Sequence, residues 1–224
     1  MNENWPEAYK KGTQDFYGRD FLVSPDVLIP RPETEAAIDE VLLLAGKPYL
    51  PGMIAPRRKL PEKPLIIDVG TGSSCIATTL KLEIPEAEVV ALDISESALA
   101  VARENAKRLG ARVEFLWSDL LKNYQGKMPD VIVANLPYVD ENWEWLDKEA
   151  LSFEPSGALY AEKHGLALIF ELIDEIKELD NSKSLMWVLL EADPCQHDDI
   201  IKYAKKAGLG HQKTSGFWLV FRKN

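Results

Sequence analysis

From residue 65 onward, short apolar runs alternate with longer amphipathic stretches. Leu65-Ile66-Ile67-Asp68-Val69, Glu88 to Leu92, Arg112 to Trp117, Asp130 to Ala134, Leu185 to Glu191 and Phe217 to Phe221 are too short for helices and read as strands. Between them, Ser73 to Glu83, Ser95 to Leu109, His164 to Leu179 and Pro194 to Ala207 read as helices, the second stopping at Gly110. Near-continuous apolar strands joined by helices predict a mostly parallel, doubly wound α/β sheet with right-handed crossovers and helices on both faces. Upstream the pattern changes. Residues 1–30 are polar with scattered aromatics, and Phe16 to Ile29 reads as short strands broken by Gly18 and Pro25. Glu33-Thr34-Glu35 opens an amphipathic helix that runs to about Leu44. The expected division is an N-terminal segment (1–45), a Pro-rich linker (46–64) and an α/β domain (65–224).

Composition narrows the possibilities. At 224 residues, 46% of them hydrophobic and 28% charged, the chain fits one large globular domain with a small appendage. It holds no membrane-spanning apolar run and no signal-peptide layout at Met1-Asn2-Glu3-Asn4, so a cytoplasmic monomer is expected. Two cysteines and three scattered histidines form no disulfide framework and no zinc spacing, so no metal is expected. A net charge of −10 argues against a broad nucleic-acid footprint. The one obvious basic cluster, Arg57, Arg58, Lys59 and Lys63, lies among prolines and reads as solvated linker.

Candidate chemistry gathers at the carboxyl ends of the strands. Asp68-Val69-Gly70-Thr71-Gly72-Ser73-Ser74 runs off the first strand into a helix, and its glycines let backbone approach a ligand closely. Asp93 ends the second strand, where an acid can accept both ribose hydroxyls of a nucleoside. Ser118-Asp119-Leu120 ends the third, where an acid can accept an adenine amine. The third glycine of the dinucleotide fingerprint is missing. An acid two residues before Gly70, and acids at successive strand ends, fit S-adenosylmethionine better than a nicotinamide dinucleotide.

Asn135-Leu136-Pro137-Tyr138 follows the fourth strand, which this topology lays beside the first. The Asn135 side-chain oxygen and the Leu136 carbonyl can each accept one N–H of a planar NH2 group, with the aromatic ring covering its flat face. Such a grip turns the nitrogen lone pair toward an electrophilic methyl. It suits a glutamine amide or the exocyclic amine of adenine.

The chain resembles the HemK/PrmC type of release-factor glutamine N5-methyltransferase from about Trp5 to Phe221. Its most specific wording is Phe16-Tyr17-Gly18-Arg19-Asp20-Phe21-Leu22-Val23 leading to Val27-Leu28-Ile29-Pro30-Arg31-Pro32-Glu33-Thr34-Glu35, with Phe153-Glu154-Pro155, Ala158-Leu159 and Leu189-Leu190-Glu191 further on. The resemblance implies a class I S-adenosylmethionine-dependent methyltransferase fold with a seven-stranded sheet. It implies methylation of the glutamine in the Gly-Gly-Gln loop of class I peptide chain release factors. By position, Gly70 to Ser74, Asp93 and Leu120 meet the cofactor, Asn135 to Tyr138 meet the glutamine, and Arg31, Pro32, Glu33 and Thr34 help wall the site.

Three departures stand out. Leu136 replaces the first proline of the family's usual Asn-Pro-Pro-Tyr. Ser74 stands where the family often has a third glycine. Of the family's N-terminal helical domain, only an exit segment, Trp5 to Gln14, is expected here. Asn-Leu-Pro-Tyr is also similar to the motif of rRNA adenine dimethyltransferases. An adenine methyltransferase acting on RNA or DNA, a ribosomal-protein glutamine methyltransferase, and a cofactor-binding module without catalysis are therefore alternatives. Trp143 and Trp145, among acids, read as a turn or as a lip for a basic loop. Cys75 reads as a packing residue under the nucleotide loop, and His164 has no evident partner.

Overall fold

The structure, a computed structural model, describes residues 5–48, 50, 57–179 and 186–223. The predicted strand start at Leu185, the first four residues and much of the predicted linker lie outside them. A short helix α1 (Glu7–Lys11) leads into an antiparallel hairpin of β1 (Thr13–Phe16) and β2 (Arg19–Leu22). The hairpin turn, Tyr17-Gly18, has φ of 53° and 70°, the left-handed pair that matches strand twist. Residues 23–29 form no strand, contrary to the sequence expectation. Their apolar side chains Val23, Val27 and Ile29 instead bury against Tyr9 and Ala98, and the Tyr9 hydroxyl donates to the Val27 carbonyl at 2.7 Å.

A single 3-10 turn (Pro32–Thr34) precedes α2 (Glu35–Leu44). Then follow β3 (Leu65–Val69), α3 (Cys75–Glu83), β4 (Glu88–Asp93), α4 (Glu96–Leu109), β5 (Glu114–Trp117) and β6 (Val131–Ala134). The chain continues as α5 (Lys148–Leu151), α6 (Ser156–Leu159), α7 (Ala167–Glu178), β7 (Met186–Glu191), α8 (His197–Lys206), β8 (Leu209–Ser215) and β9 (Trp218–Lys223). The seven-stranded sheet runs β5-β4-β3-β6-β7-β9-β8. All pairs are parallel except those of β9, which runs antiparallel to β7 and β8.

Strand β8 was not legible in the sequence because it is an edge. Only Leu209 is buried along it, so no apolar alternation marks it. Helix α7 begins at Ala167, three residues after the predicted start. Lys163, His164 and Gly165 all adopt positive φ and hold the chain out of the helix.

Alternation along the central strands divides the core. Ile66, Val131, Val133 and Leu189 face α2, α3 and the hairpin residues Phe16 and Phe21. Ile67, Val69, Ile132 and Leu190 face α7 and α8. The N-terminal segment thus shares a core with the sheet. Beyond the predicted linker's undescribed residues, the chain folds back onto the end of α2. Leu60 is buried, and the Lys59 and Leu60 amides donate to the Leu44 carbonyl at 2.8 and 3.1 Å. Arg58 pairs with Glu86, and Lys59 lies 5.1 Å over the Trp187 ring, so these cations have structural contacts.

The chain builds outward from β3 through β4 to β5, then returns to place β6 on the other side of β3. The crevice beyond the carboxyl ends of β3 and β6 is the switch point where open α/β sheets bind ligands. Among the described residues no helix is long and apolar enough to cross a membrane, and no group of His, Cys, Asp or Glu converges as a metal site.

Candidate active site

A cavity of about 430 Å³ occupies that crevice. One wall is the loop after β3. The Gly70 and Thr71 amides both donate to the Leu92 carbonyl at 2.9 Å, folding the loop over the end of β4. Gly70 has φ of 73°, which favours glycine, and a Cβ there would meet Leu136 Cδ2 at 2.9 Å, so that side chain would have to move. Gly70, Thr71, Gly72 and Ser73 line the cavity. Ser74 does not. It caps α3 in the left-handed region at φ 66°, with its hydroxyl 2.9 Å from that of Thr78. That conformation accounts for a glycine at this place in the family pattern.

Asp68 also stays out of the cavity. It is buried under the loop, where its Oδ2 accepts from the Thr71 hydroxyl at 2.6 Å and the Ala77 amide at 3.2 Å. Burial pushes its carboxyl up to about 7 despite those two bonds. It shapes the loop from behind. Asp93 is placed differently. Its Oδ2 accepts from the Gly72 amide and its Oδ1 from the Ser95 amide, both at 2.9 Å. Burial raises its pKa, while these backbone bonds oppose the rise. Asp93 lines the cavity, and each of its oxygens can accept a further hydrogen bond.

Asp119 and Leu120 line the far end. Asp119 is partly engaged, since Lys122 reaches its Oδ2 at 2.6 Å. Leu120 adopts φ of 48°, held by the Ser118 hydroxyl donating to its carbonyl at 2.7 Å. Ile94, exposed beside Asp93, gives this end an apolar flank that sequence reasoning did not single out.

Asn135, Leu136 and Pro137 form the opposite wall. The Asn135 amide nitrogen donates to the Thr34 hydroxyl at 3.2 Å. Thr34 in turn donates to Glu191 Oε2 at 2.7 Å, and the Tyr138 hydroxyl donates to Glu191 Oε1 at 3.2 Å. Tyr138 does not line this cavity, and its hydroxyl is held by the carboxylate at the end of β7. Leu136 is buried against the sheet. Burial pushes Glu191 up to about 7 and raises the Tyr138 phenol above its ordinary value. Nothing local in the sequence marks Glu191 beyond the family-like wording Leu189-Leu190-Glu191.

Arg31 and Thr34 reach the cavity from the N-terminal segment, whereas Pro32 and Glu33 do not line it. Arg31 makes an ion pair with buried Glu154, whose other oxygen accepts from the Ile29 amide at 2.9 Å. This clamp ties residues 27–31 to the Pro155–Ala158 stretch, and both strips line the cavity. Cys75 also borders it, its thiol raised to about 12 by burial, which leaves it an inert packing group. His164, unassigned from sequence, pairs through Nδ1 with Asp140 at 2.7 Å. Trp143 and Trp145 stack at 5.2 Å just beyond the tetrapeptide.

The methyltransferase small domain family matches residues 56–150, spanning both cavity walls. A release factor glutamine methyltransferase of Koribacter versatilis is 45% identical over 196 residues, covering 84% of this chain and 65% of the relative. One from Bacillus cereus is 36% identical over 208 residues, covering 92% of this chain and 69% of that one. The chain spans less than two thirds of the length of several such relatives. A methyltransferase from Pyrococcus furiosus superposes with a TM-score of 0.63 at 18% identity, over 93% of this chain and 90% of that one, a likeness of fold. The fold is that of class I methyltransferases, and the chain belongs to the release factor glutamine methyltransferase family.

Proposed function

We propose that this protein transfers a methyl group from S-adenosylmethionine to the side-chain nitrogen of a glutamine, the one in the Gly-Gly-Gln motif of class I peptide chain release factors. The observation that carries this reading is Asn135 on the cavity wall, its nitrogen engaged by Thr34 and its Oδ1 left to accept. The residues present fit the cofactor. Gly70 to Ser73 make a cradle that a side chain would fill, Asp93 offers acceptors for ribose hydroxyls, and Asp119 and Leu120 border the place of the base. Bound there, S-adenosylmethionine supplies an electrophilic methyl carbon on a positively charged sulfur.

The chain's own residues do the rest by positioning. An amide nitrogen is a poor nucleophile because its lone pair is delocalised into the carbonyl. Asn135 Oδ1 and the Leu136 carbonyl each accept one of its hydrogens and aim the lone pair at the cofactor end. Orientation and fixed dipoles then carry most of the acceleration. The methylated nitrogen becomes acidic and loses its proton without a strong base. On this reading the 65–224 domain holds the cofactor, and Arg31 and Thr34 of the N-terminal segment complete the substrate wall.

A protein substrate is favoured over nucleic acid by the net charge of −10 and by Asp140, Glu141, Glu144, Asp147 and Glu149 just after the tetrapeptide. The similarity to relatives named for release factors supports the same choice. The test is incubation with S-adenosylmethionine and a class I release factor, followed by mass spectrometry of the Gly-Gly-Gln peptide. One added methyl that requires intact Asn135, absent in Asn135→Ala, is the expected result. Methylation of deproteinised rRNA with none on the release factor would reject it.

A further inference from the structure

The hydrogen-bond chain from Asn135 to Glu191 has a direction. Thr34 Oγ1 lies 2.7 Å from Glu191 Oε2 and 3.2 Å from Asn135 Nδ2. A hydroxyl has one hydrogen, and an ionised carboxylate only accepts. Thr34 therefore commits its hydrogen to Glu191 and can only accept on its other side. Asn135 must turn its NH2 toward Thr34, which leaves Oδ1 facing the cavity. The flipped amide would set a carbonyl against the Thr34 lone pairs and point N–H donors at an incoming NH2 group. We infer that Thr34 and Glu191 are positioning residues that set which end of the Asn135 amide faces the substrate. The inference rests on the methyl-transfer reading above.

Burial makes the arrangement firm. Thr34 is 2% exposed and Glu191 1%, so water does not substitute for either partner. Both Glu191 oxygens are taken, one by Thr34 and one by Tyr138. The titratable and charged groups around Glu191 come from several elements. Glu33 and Arg31 lie on the turn before α2, Tyr138 after β6, and Cys75 at the start of α3. Burial raises Glu191 most, Glu33 adds to the rise, and the bonds from Thr34 and Tyr138, with Arg31, oppose it.

A protonated Glu191 has a hydrogen to give. It can donate to Thr34, whose own hydrogen then turns to Asn135 and favours the flipped amide. Turnover should therefore fall as the pH drops through about 7, in kcat rather than in cofactor affinity.

Two substitutions separate this role from simple packing. Thr34→Val keeps the shape and removes the hydroxyl, while Thr34→Ser keeps the hydroxyl. Release-factor methylation is followed as kcat and KM from about pH 5.5 to about 8.5, with cofactor affinity by calorimetry. In parallel, the Asn135 side-chain NH2 signals, assigned by their loss in Asn135→Ala, are followed by NMR. Thr34→Val should lower kcat by roughly 10- to 100-fold, with cofactor affinity unchanged and the acid limb flattened. Thr34→Ser should restore both the rate and the limb. The Asn135 signals should move with pH in the wild type, and lose that movement in Thr34→Val and in Glu191→Gln. Wild-type turnover and an intact acid limb in Thr34→Val would overturn the inference. So would Asn135 signals that do not respond to Glu191→Gln. If no glutamine is methylated but the Asn135 signals still follow Glu191, the methyl-transfer reading fails and the positioning role stands.

Discussion

Asp68→Asn should stabilise the protein, and by about 2 kcal/mol more in mild alkali than in mild acid. Asp68 is 1% exposed, and its Oδ1 has no hydrogen-bond partner among the described residues. Burial raises its pKa from 3.8 to about 7. An acid with a higher pKa in the folded state binds its proton more tightly there. The unfolded chain then holds fewer protons, and stability falls as the pH rises from the ordinary value toward the folded one. At about 1.4 kcal/mol per pH unit, the whole span is worth about 4 kcal/mol, of which about 2 kcal/mol falls between pH 5.5 and 7. Asparagine keeps one oxygen for Thr71 and Ala77. Its NH2 takes the orphan position, much as the hydroxyl of the protonated acid does, so the two proteins converge only below the ordinary value of 3.8, where the unfolded carboxyl is protonated as well. Glu191 titrates in the same range in both proteins and cancels. Urea unfolding at about pH 5.5 and about pH 8.5 measures the difference. A gap between variant and wild type that is the same at both pH values would refute the reasoning.

Two further substitutions test the cavity walls. Asp93→Ala removes the acceptor for the Gly72 and Ser95 amides and a carboxylate that lines the cavity. Affinity for S-adenosylmethionine should drop roughly 10- to 100-fold by calorimetry, and an unchanged affinity would remove Asp93 from the site. Gly165→Ala places a Cβ 1.9 Å from the Tyr138 carbonyl oxygen at a φ of 81°, whereas a Cβ on Gly157 meets nothing within 4 Å. The first should cost about 3 kcal/mol or more and lower Tm clearly, and Gly157→Ala should leave Tm close to wild type.

What the chain reveals before folding is governed by range. The parallel strands and α4 are visible because their apolar periodicity is local, and Ser95 and Gly110 mark the ends of that helix in the sequence itself. The glycine loop and Asp93 are visible because strand ends in this topology fall together. Strand β8 carries no apolar face and is defined by its pairing with β9 alone. Thr34, Asn135 and Glu191 converge across separations of 101 and 157 residues, so their hydrogen-bond order belongs to the packed core rather than to any segment. Likewise, that Asp68 and Tyr138 do not line the cavity depends on partners that no spacing rule supplies.

Two of the three departures from the family pattern, Ser74 and Leu136, are accommodated by local packing. A left-handed non-glycine residue costs about 1–2 kcal/mol, and a hydrogen bond returns about 1 kcal/mol. Ser74 takes that conformation and holds it through its bond to Thr78, so the loop keeps its shape without the glycine. Leu136 loses proline's rigid ring, but its buried Cδ2 lies against the Cα of Gly70, close enough that even a methyl there would collide. The tetrapeptide is thereby packed against the glycine loop. Leu136 brings the two walls of the cavity into contact. On the proposed function, a change that moves the glycine loop should through this contact also disturb the Leu136 backbone, whose carbonyl is assigned to the substrate amide.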